Sequence, residues 1–515
     1  MRCLPIAALS LALLWPAAAE AQLSKSGLIS PEAARQFGLE RMWFTHLHVD
    51  RGRGRVAGLN MHVSDTRAYT VFQITHDGRR YVFSQRDRNA FGKEIGLEGA
   101  KQLADEKLAA IKDELTKAGK MDPPPPIETF VVPEITLYST SEQGTVHSLD
   151  AETGRTRWSK SVGRPSYPTT APSGSDKHVG VCNGSTLYVL LTSDGSQVWS
   201  KQVVGAPGAG PALTDELAFV PMIDGRVETF MLEDPKHPVA IYKSFGRAMV
   251  QPVVSFNSVA WPTDGGNLYV GLAREAGMRY RMQAKDAINS APAFLPPNKV
   301  FATSLDGYLY CVSENKGNVL WRFTTGEPIS HSPVALGSTV YVITDRGSMF
   351  AISATDGKEQ WVQGGIRKYV AGNDKRLYCT DLGGNLTILE TATGSKLGTI
   401  ATGQVDMPYM NVDTDRIILA SSTGLVQCFR EANLPWPVSH MRSDAAKTGM
   451  PAVKTPEAQP PAGGATPMPV NPDPFAGGAA DPFAAPAKPM PMPKPPAGGE
   501  PDPFATPPAG APKTP

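Results

Sequence analysis

The sequence predicts an all-β fold: an eight-bladed β-propeller with a small ββα insertion and a Pro/Ala/Gly-rich tail. Three observations at one period predict it: a turn glycine, a proline that opens a strand, and an aromatic on a fourth strand. The turn glycines are Gly144, Gly184, Gly225, Gly266, Gly307, Gly347, Gly384 and Gly424, at steps of 40, 41, 41, 41, 40, 37 and 40. Each lies between two apolar strand-like runs, as in KVFATSLDG and TVYVITDRG. Asp-Gly at 224–225 and 306–307 suits a tight hairpin turn that needs positive φ. The prolines are Pro172, Pro211, Pro252, Pro292 and Pro333, and after one unit without it the series resumes at Pro408. Proline is tolerated at a strand's first residue because no ladder donor is lost there. The aromatics are Trp158, Trp199, Tyr242, Trp321 and Trp361. Four strands in about 40 residues make a propeller blade. No blade buries both faces alone, so neighbours must stack.

The tryptophan-bearing units share an eleven-residue frame: SLDAETGRTRW (148–158), CVSENKGNVLW (311–321) and AISATDGKEQW (351–361). VLLTSDGSQVW (189–199) fits less well at its first position. The frame resembles the tryptophan-docking motif of PQQ-repeat (quinoprotein-like) propellers, AxDxxTGxxxW. The resemblance implies that Trp158, Trp199, Trp321 and Trp361 pack on the turn of a neighbouring blade, with Gly154, Gly195, Gly317 and Gly357 in the frame's glycine place. The units around Gly225 and Gly266 lack the frame, and Gly398 stands where a tryptophan is expected. Looser docking is expected there.

Residues 1–21 read as a signal peptide: Arg2, an apolar run from Leu4 to Trp15, and an Ala19-Glu20-Ala21 cleavage site. The apolar run is too short to span a bilayer. The expectation is an exported, soluble protein of the periplasm or cell envelope, without Trp15 in its mature form. Residues 22–64 are expected to close the propeller. FGLERMWFTHLHV (37–49) would supply the last blade's outer strand, with Trp43 in the docking place and its glycine one residue out of frame. Closure removes exposed sheet edges. A free edge strand on an extra N-terminal blade is the alternative. RVAGLNMHV (55–63) suits the inner strand of the first blade.

Residues 65–130 are assigned to the ββα insertion and a Pro-rich connector. A hairpin turns at His76-Asp77-Gly78. A helix from Leu97 to Ala118 carries the apolar stripe Ala100, Ala104, Leu108, Ile111 and Leu115, with Gly119 as its C-cap. The repeats occupy 131–431 and an exit segment 432–450. The segment 451–515 buries too little apolar area to offset its ordering entropy, and is expected to be disordered. Asp-Pro-Phe-Ala recurs three times there, presenting Phe475, Phe483 and Phe504. These phenylalanines are either a multivalent docking motif or a low-complexity duplication.

A formal net charge of +1 provides no field to attract nucleic acid or an anionic membrane. Cys182, Cys311, Cys379 and Cys428 lie in apolar runs and read as small buried hydrophobes, with disulfides the alternative for an exported chain. His46, His48 and Asp50 alternate, so a strand would place them on one face as a conceivable metal trio. Polar strand faces also produce that pattern by chance. Arg51, Arg53 and Arg55 read as a solvated turn. No GxSxG, HExxH or Walker-type loop is present. Quinoprotein dehydrogenases share the repeat and use a vicinal Cys-Cys pair, which this chain lacks. The reading is therefore a monomeric, non-catalytic scaffold with no cofactor and no metal. Its blade-edge loops bind a protein partner in the cell envelope. In plan it is similar to the propeller lipoproteins of outer-membrane β-barrel assembly. A small-ligand binder using the central funnel and a quinone-dependent dehydrogenase are the alternatives.

Overall fold

The computed structural model describes residues 27–50, 54–117, 123–402 and 405–440. The signal segment, Gly119, Arg51, Arg53, and the tail with Phe475, Phe483 and Phe504 lie outside the described residues.

The described residues form eight antiparallel sheets, seven of four strands and one of five. All eight turn glycines have positive φ, from 56° at Gly184 to 101° at Gly424. In five sheets the first strand begins directly after the periodic proline, at Ser173, Ala212, Val253, Ala293 and Val334. These strands are two or three residues long. The seventh sheet has no such proline and opens on the seven-residue strand Ile366–Gly372. A residue without an N–H marks where the ladder starts, and without it pairing extends.

The chain's first strand, β1 (Leu39–His46), lies antiparallel to Leu425–Glu431 and is the fourth strand of the eighth sheet. The preceding helix α1 (Pro31–Gln36) is capped by Ser30, whose Oγ accepts from the Ala33 N–H at 3.1 Å. Phe37 follows, and its ring fills the space over Gly398 in the seventh sheet, leaving no room for a Cβ. The position that lacks a tryptophan is thus covered by an aromatic from the N-terminal segment.

The inner strand of the first sheet does not stop near Val63. β2 (Val56–His76) runs on for 21 residues, with a register shift between Val63 and Ala68. It pairs with β4 (Ile127–Ser141) from Val56 to Ile74. β3 (Arg79–Ser84) adds at the far end, so the sheet order is β3-β2-β4-β5-β6, with β5 at Thr145–Asp150 and β6 at Thr156–Ser161. The helix α2 (Gly96–Lys117) packs Ala100 and Ala104 on Phe72, and Ile111 and Leu115 on Ile74. The boundary expected at 64/65 falls inside β2. The strand continues because β4 offers matching donors and acceptors across it.

Successive sheets pack through alternate residues. On β4 and β5, Leu137 and Leu149 face Trp43 and Cys428. Tyr138 and Val146 face Trp158 and Val179. The four cysteines are free and buried. Burial pushes the Cys182 thiol up to about 12 and that of Cys311 to about 11, so neither is a nucleophile at neutral pH.

His147 on β5 is 3% exposed, and neither ring nitrogen has a partner among the described residues. Burial, and secondarily the charge of His48, depress its pKa to about 4. The folded form holds His147 neutral, whereas the unfolded chain protonates it near pH 6.5. Its contribution is therefore complete above pH 6.5 and lost as pH falls toward 4. His147→Phe should remove a loss on the order of 3 kcal/mol between those pH values, measured by urea unfolding across pH. Parallel pH profiles for wild type and variant would refute it.

Candidate interaction face

Antiparallel strands alternate in direction. The turn between a sheet's second and third strands therefore lies at the same end as the exit from its fourth. The eight turn glycines and the sheet-to-sheet loops share this end. Across sheets two to four it carries large exposed apolar side chains: Val204 (64%), Ile223, Phe245 (70%) and Met249. Three contacts join their loops. The Ile223 N–H donates to Ala206 O at 3.0 Å. Gly225 lies against Gly246 O, and Gly208 against Ala248 O, with no room for a Cβ at either glycine.

These loops are held from below. The Phe245 N–H donates to the Tyr269 hydroxyl at 2.8 Å. The Val204 N–H donates to Glu228 at 3.1 Å, and its carbonyl accepts from Arg226. Arg226 Nε also donates to Asp224 at 2.7 Å, which holds that carboxyl below its usual range. Arg247 donates to Asp264 from both its backbone N–H and its Nε, at 2.6 Å each. Burial works against ionising Asp264, but those two bonds outweigh it and the carboxyl stays low. Apolar side chains thus stand exposed on loops fixed by charged bonds, an arrangement suited to a binding surface.

The frame residues lie at sheet junctions. Trp158 sits over Gly195, where a Cβ would be 2.5 Å from the ring, and its Nε1 donates to Thr192 O at 2.8 Å. The Trp321 ring lies over Gly357, and its Nε1 has no partner among the described residues. Trp361 lies over Gly394 and donates to Thr391 O at 3.0 Å. Trp199 donates to Leu232 O at 2.8 Å with no glycine beneath it. Trp43 lies over Gly154 and donates to Ala151 O at 2.8 Å. Gly317 receives Tyr280 rather than a tryptophan. Where the third sheet meets the fourth, Trp261 is fully buried, stacked on Tyr269 at 5.8 Å with Tyr242 at 5.5 Å. The junctions without the frame therefore pack through other aromatics.

β1 ends at His46, and the Leu47 N–H then donates to Gly424 O. His48 and Asp50 lie beyond the strand. Among the described residues no three His, Cys, Asp or Glu side chains are gathered to hold a metal ion. Arg55 is exposed. No described helix is long and apolar enough to cross a membrane.

An ion cluster that sequence reasoning missed fixes the root of the insertion. Glu134 on β4 accepts from Arg86 and Arg157 and lies 3.7 Å from Arg67. Burial opposes ionisation of Glu134, yet the three guanidinium groups hold its pKa down. Arg86 also stacks over Tyr69 at 4.4 Å. Nothing in local sequence spacing joins these residues.

A family model described as outer membrane protein assembly factor BamB matches residues 123–235 and 272–404. The gap between the two stretches contains Phe245, Arg247 and Met249. The BamB of Burkholderia pseudomallei is 25% identical over 248 residues, which are 44% of this chain and 62% of that protein. The match thus spans less than two thirds of the relative's length. Among solved structures, BamB from Moraxella catarrhalis aligns at 15% identity with a TM-score of 0.49, covering 57% of this chain and 91% of that one. The computationally designed protein Ika8 aligns at 15% with a TM-score of 0.48, covering 59% and 93%. The repeat, the two-part family match and the curated relative make this chain similar to the PQQ-repeat proteins described as outer membrane protein assembly factor BamB.

Proposed function

We propose that this protein is an exported, non-catalytic scaffold of the periplasm that serves outer-membrane protein assembly. It binds a protein partner through the loop face around Val204, Ile223, Phe245 and Met249. The observation that carries the reading is homology to an assembly factor together with an apolar face on rigidly held loops. In this reading the eight sheets close as a propeller. β1 supplies the last blade's outer strand, and Trp43, Trp158, Trp199, Trp321 and Trp361 lock neighbouring blades. Trp43 supports closure because it joins the eighth sheet to the first. Phe475, Phe483 and Phe504 act as further docking points for the same partner. Recognition uses desolvation of exposed aromatic and aliphatic groups, so no bond is made or broken.

Deleting the protein in its host should lower the amount of folded outer-membrane β-barrel protein. Phe245→Asp with Met249→Asp should fail to restore it while melting like wild type, and a triple Phe-to-Ala change in the tail should restore it partially. Normal β-barrel levels in the deletion strain, or full restoration by the double variant, would overturn the reading.

A further inference from the structure

β3 is an edge strand of the first sheet. Its hairpin has a two-residue turn, Asp77 (φ 48°) and Gly78 (φ 71°), closed by the pair His76 and Arg79. At the other end the Gln85 N–H donates to Thr70 O at 3.1 Å. Antiparallel pairing alternates, so Arg79, Tyr81 and Phe83 direct their backbone groups toward β2. Arg80, Val82 and Ser84 direct theirs outward. Asp87 uses both outward groups of Ser84: its carboxylate accepts from the N–H at 2.8 Å, and its own N–H donates to the carbonyl at 2.9 Å. The outward N–H and C=O of Arg80 and Val82 have no partner among the described residues.

Tyr81 and Phe83 pack beneath α2. Val82 is on the other face, opposite Gln73, and is 40% exposed. Arg79 and Arg80 are exposed, and neither forms an ion pair among the described residues. Of the neighbouring carboxylates, Asp77 lies 3.6 Å from His76, and Asp87 serves as the cap on Ser84. The strand therefore presents four free backbone groups at strand spacing beside two uncompensated guanidinium groups. Four groups in this geometry fit a further strand paired along this edge rather than a small ligand.

We propose that β3 takes an extended, carboxylate-bearing segment of a partner polypeptide as a sixth strand of the first sheet. Backbone pairing at Arg80 and Val82 supplies the register, and Arg79 and Arg80 select acidic side chains. The inference stands apart from the loop face, and Phe245→Asp with Met249→Asp should leave it unchanged.

The test uses the full chain and labelled ten-residue peptides. One alternates Glu and Val, one alternates Lys and Val, and one is the acidic peptide N-methylated at alternate residues. The acidic peptide should bind, and amide exchange should slow at Arg80 and Val82. N-methylation on the pairing edge should abolish binding. Val82→Pro should weaken binding about three- to tenfold, the effect of one lost hydrogen bond. Its melting temperature should hold, because that N–H faces away from β2. Arg79→Glu with Arg80→Glu should reverse the preference to the basic peptide, and this arm decides the matter if Val82→Pro unfolds. Equal binding of acidic and basic peptides, indifference to N-methylation, or protection elsewhere would overturn the proposal. So would self-association of the chain that Val82→Pro abolishes, since the edge would then serve a second copy.

Discussion

Trp158→Ala is expected to lower stability by about 3–5 kcal/mol, the range for a large buried aromatic. The ring is 7% exposed, lies over Gly195, and approaches Tyr138 at 6.3 Å between centroids. Its Nε1 donates to Thr192 O. Truncation opens a cavity between the first and second sheets and leaves that carbonyl without its donor. Gly195→Ala attacks the same contact from the other side. The residue has φ +70°, and a Cβ would stand 2.5 Å from the ring. Both variants should unfold at lower urea concentration than wild type. A Trp158→Ala melting temperature within about a degree of wild type would show that this contact does not lock the sheets.

Arg416→Met is expected to cost about 3–5 kcal/mol, because it strips one partner from a buried ion pair. The Arg416 side chain is fully buried. Its Nε and Nη2 donate to Glu152 at 2.9 and 3.0 Å, and its guanidinium reaches Leu434 O and Pro435 O at 3.3 and 3.0 Å. It therefore ties the eighth sheet to a turn of the first and to the exit segment. Asp415 beside it is pushed up to about 6, chiefly by burial and against the pull of Arg416. A carboxyl raised in the folded state favours folding below its unfolded pKa, near 4. That contribution fades as pH rises through 6. Without Arg416 only backbone N–H groups, chiefly that of Val438 at 2.9 Å, still favour the ionised form of Asp415, and Glu152 loses its charged partner. The variant's deficit should therefore be larger at pH 8 than at pH 5, measured by chemical denaturation. Glu152→Gln in the same chain should recover part of it. An equal deficit at both pH values would refute the argument.

The repeat was legible because its signals are local. A turn that needs positive φ selects glycine wherever it recurs, and a strand start tolerates proline, so both mark the period without knowledge of packing. β1 was legible for a related reason, since Trp43 repeats the placement of the framed tryptophans. The spacing of His46, His48 and Asp50 was not a usable metal signal, because polar strand faces produce it by chance and β1 itself ends at His46.

The binding candidates were less legible. Val204, Ile223, Phe245 and Met249 come from three loops with no shared spacing, Phe245 and Met249 from the same one. Residue type and period by themselves determined the all-β class, the eight turns, and the strand that pairs with the last sheet. Tertiary structure alone decided that Phe37 covers Gly398, that Tyr280 covers Gly317, and that β2 runs unbroken into the insertion. It also decided that β3 is left as an edge. Each of these depends on which surfaces meet across the fold, and distance in space is not encoded by distance along the chain.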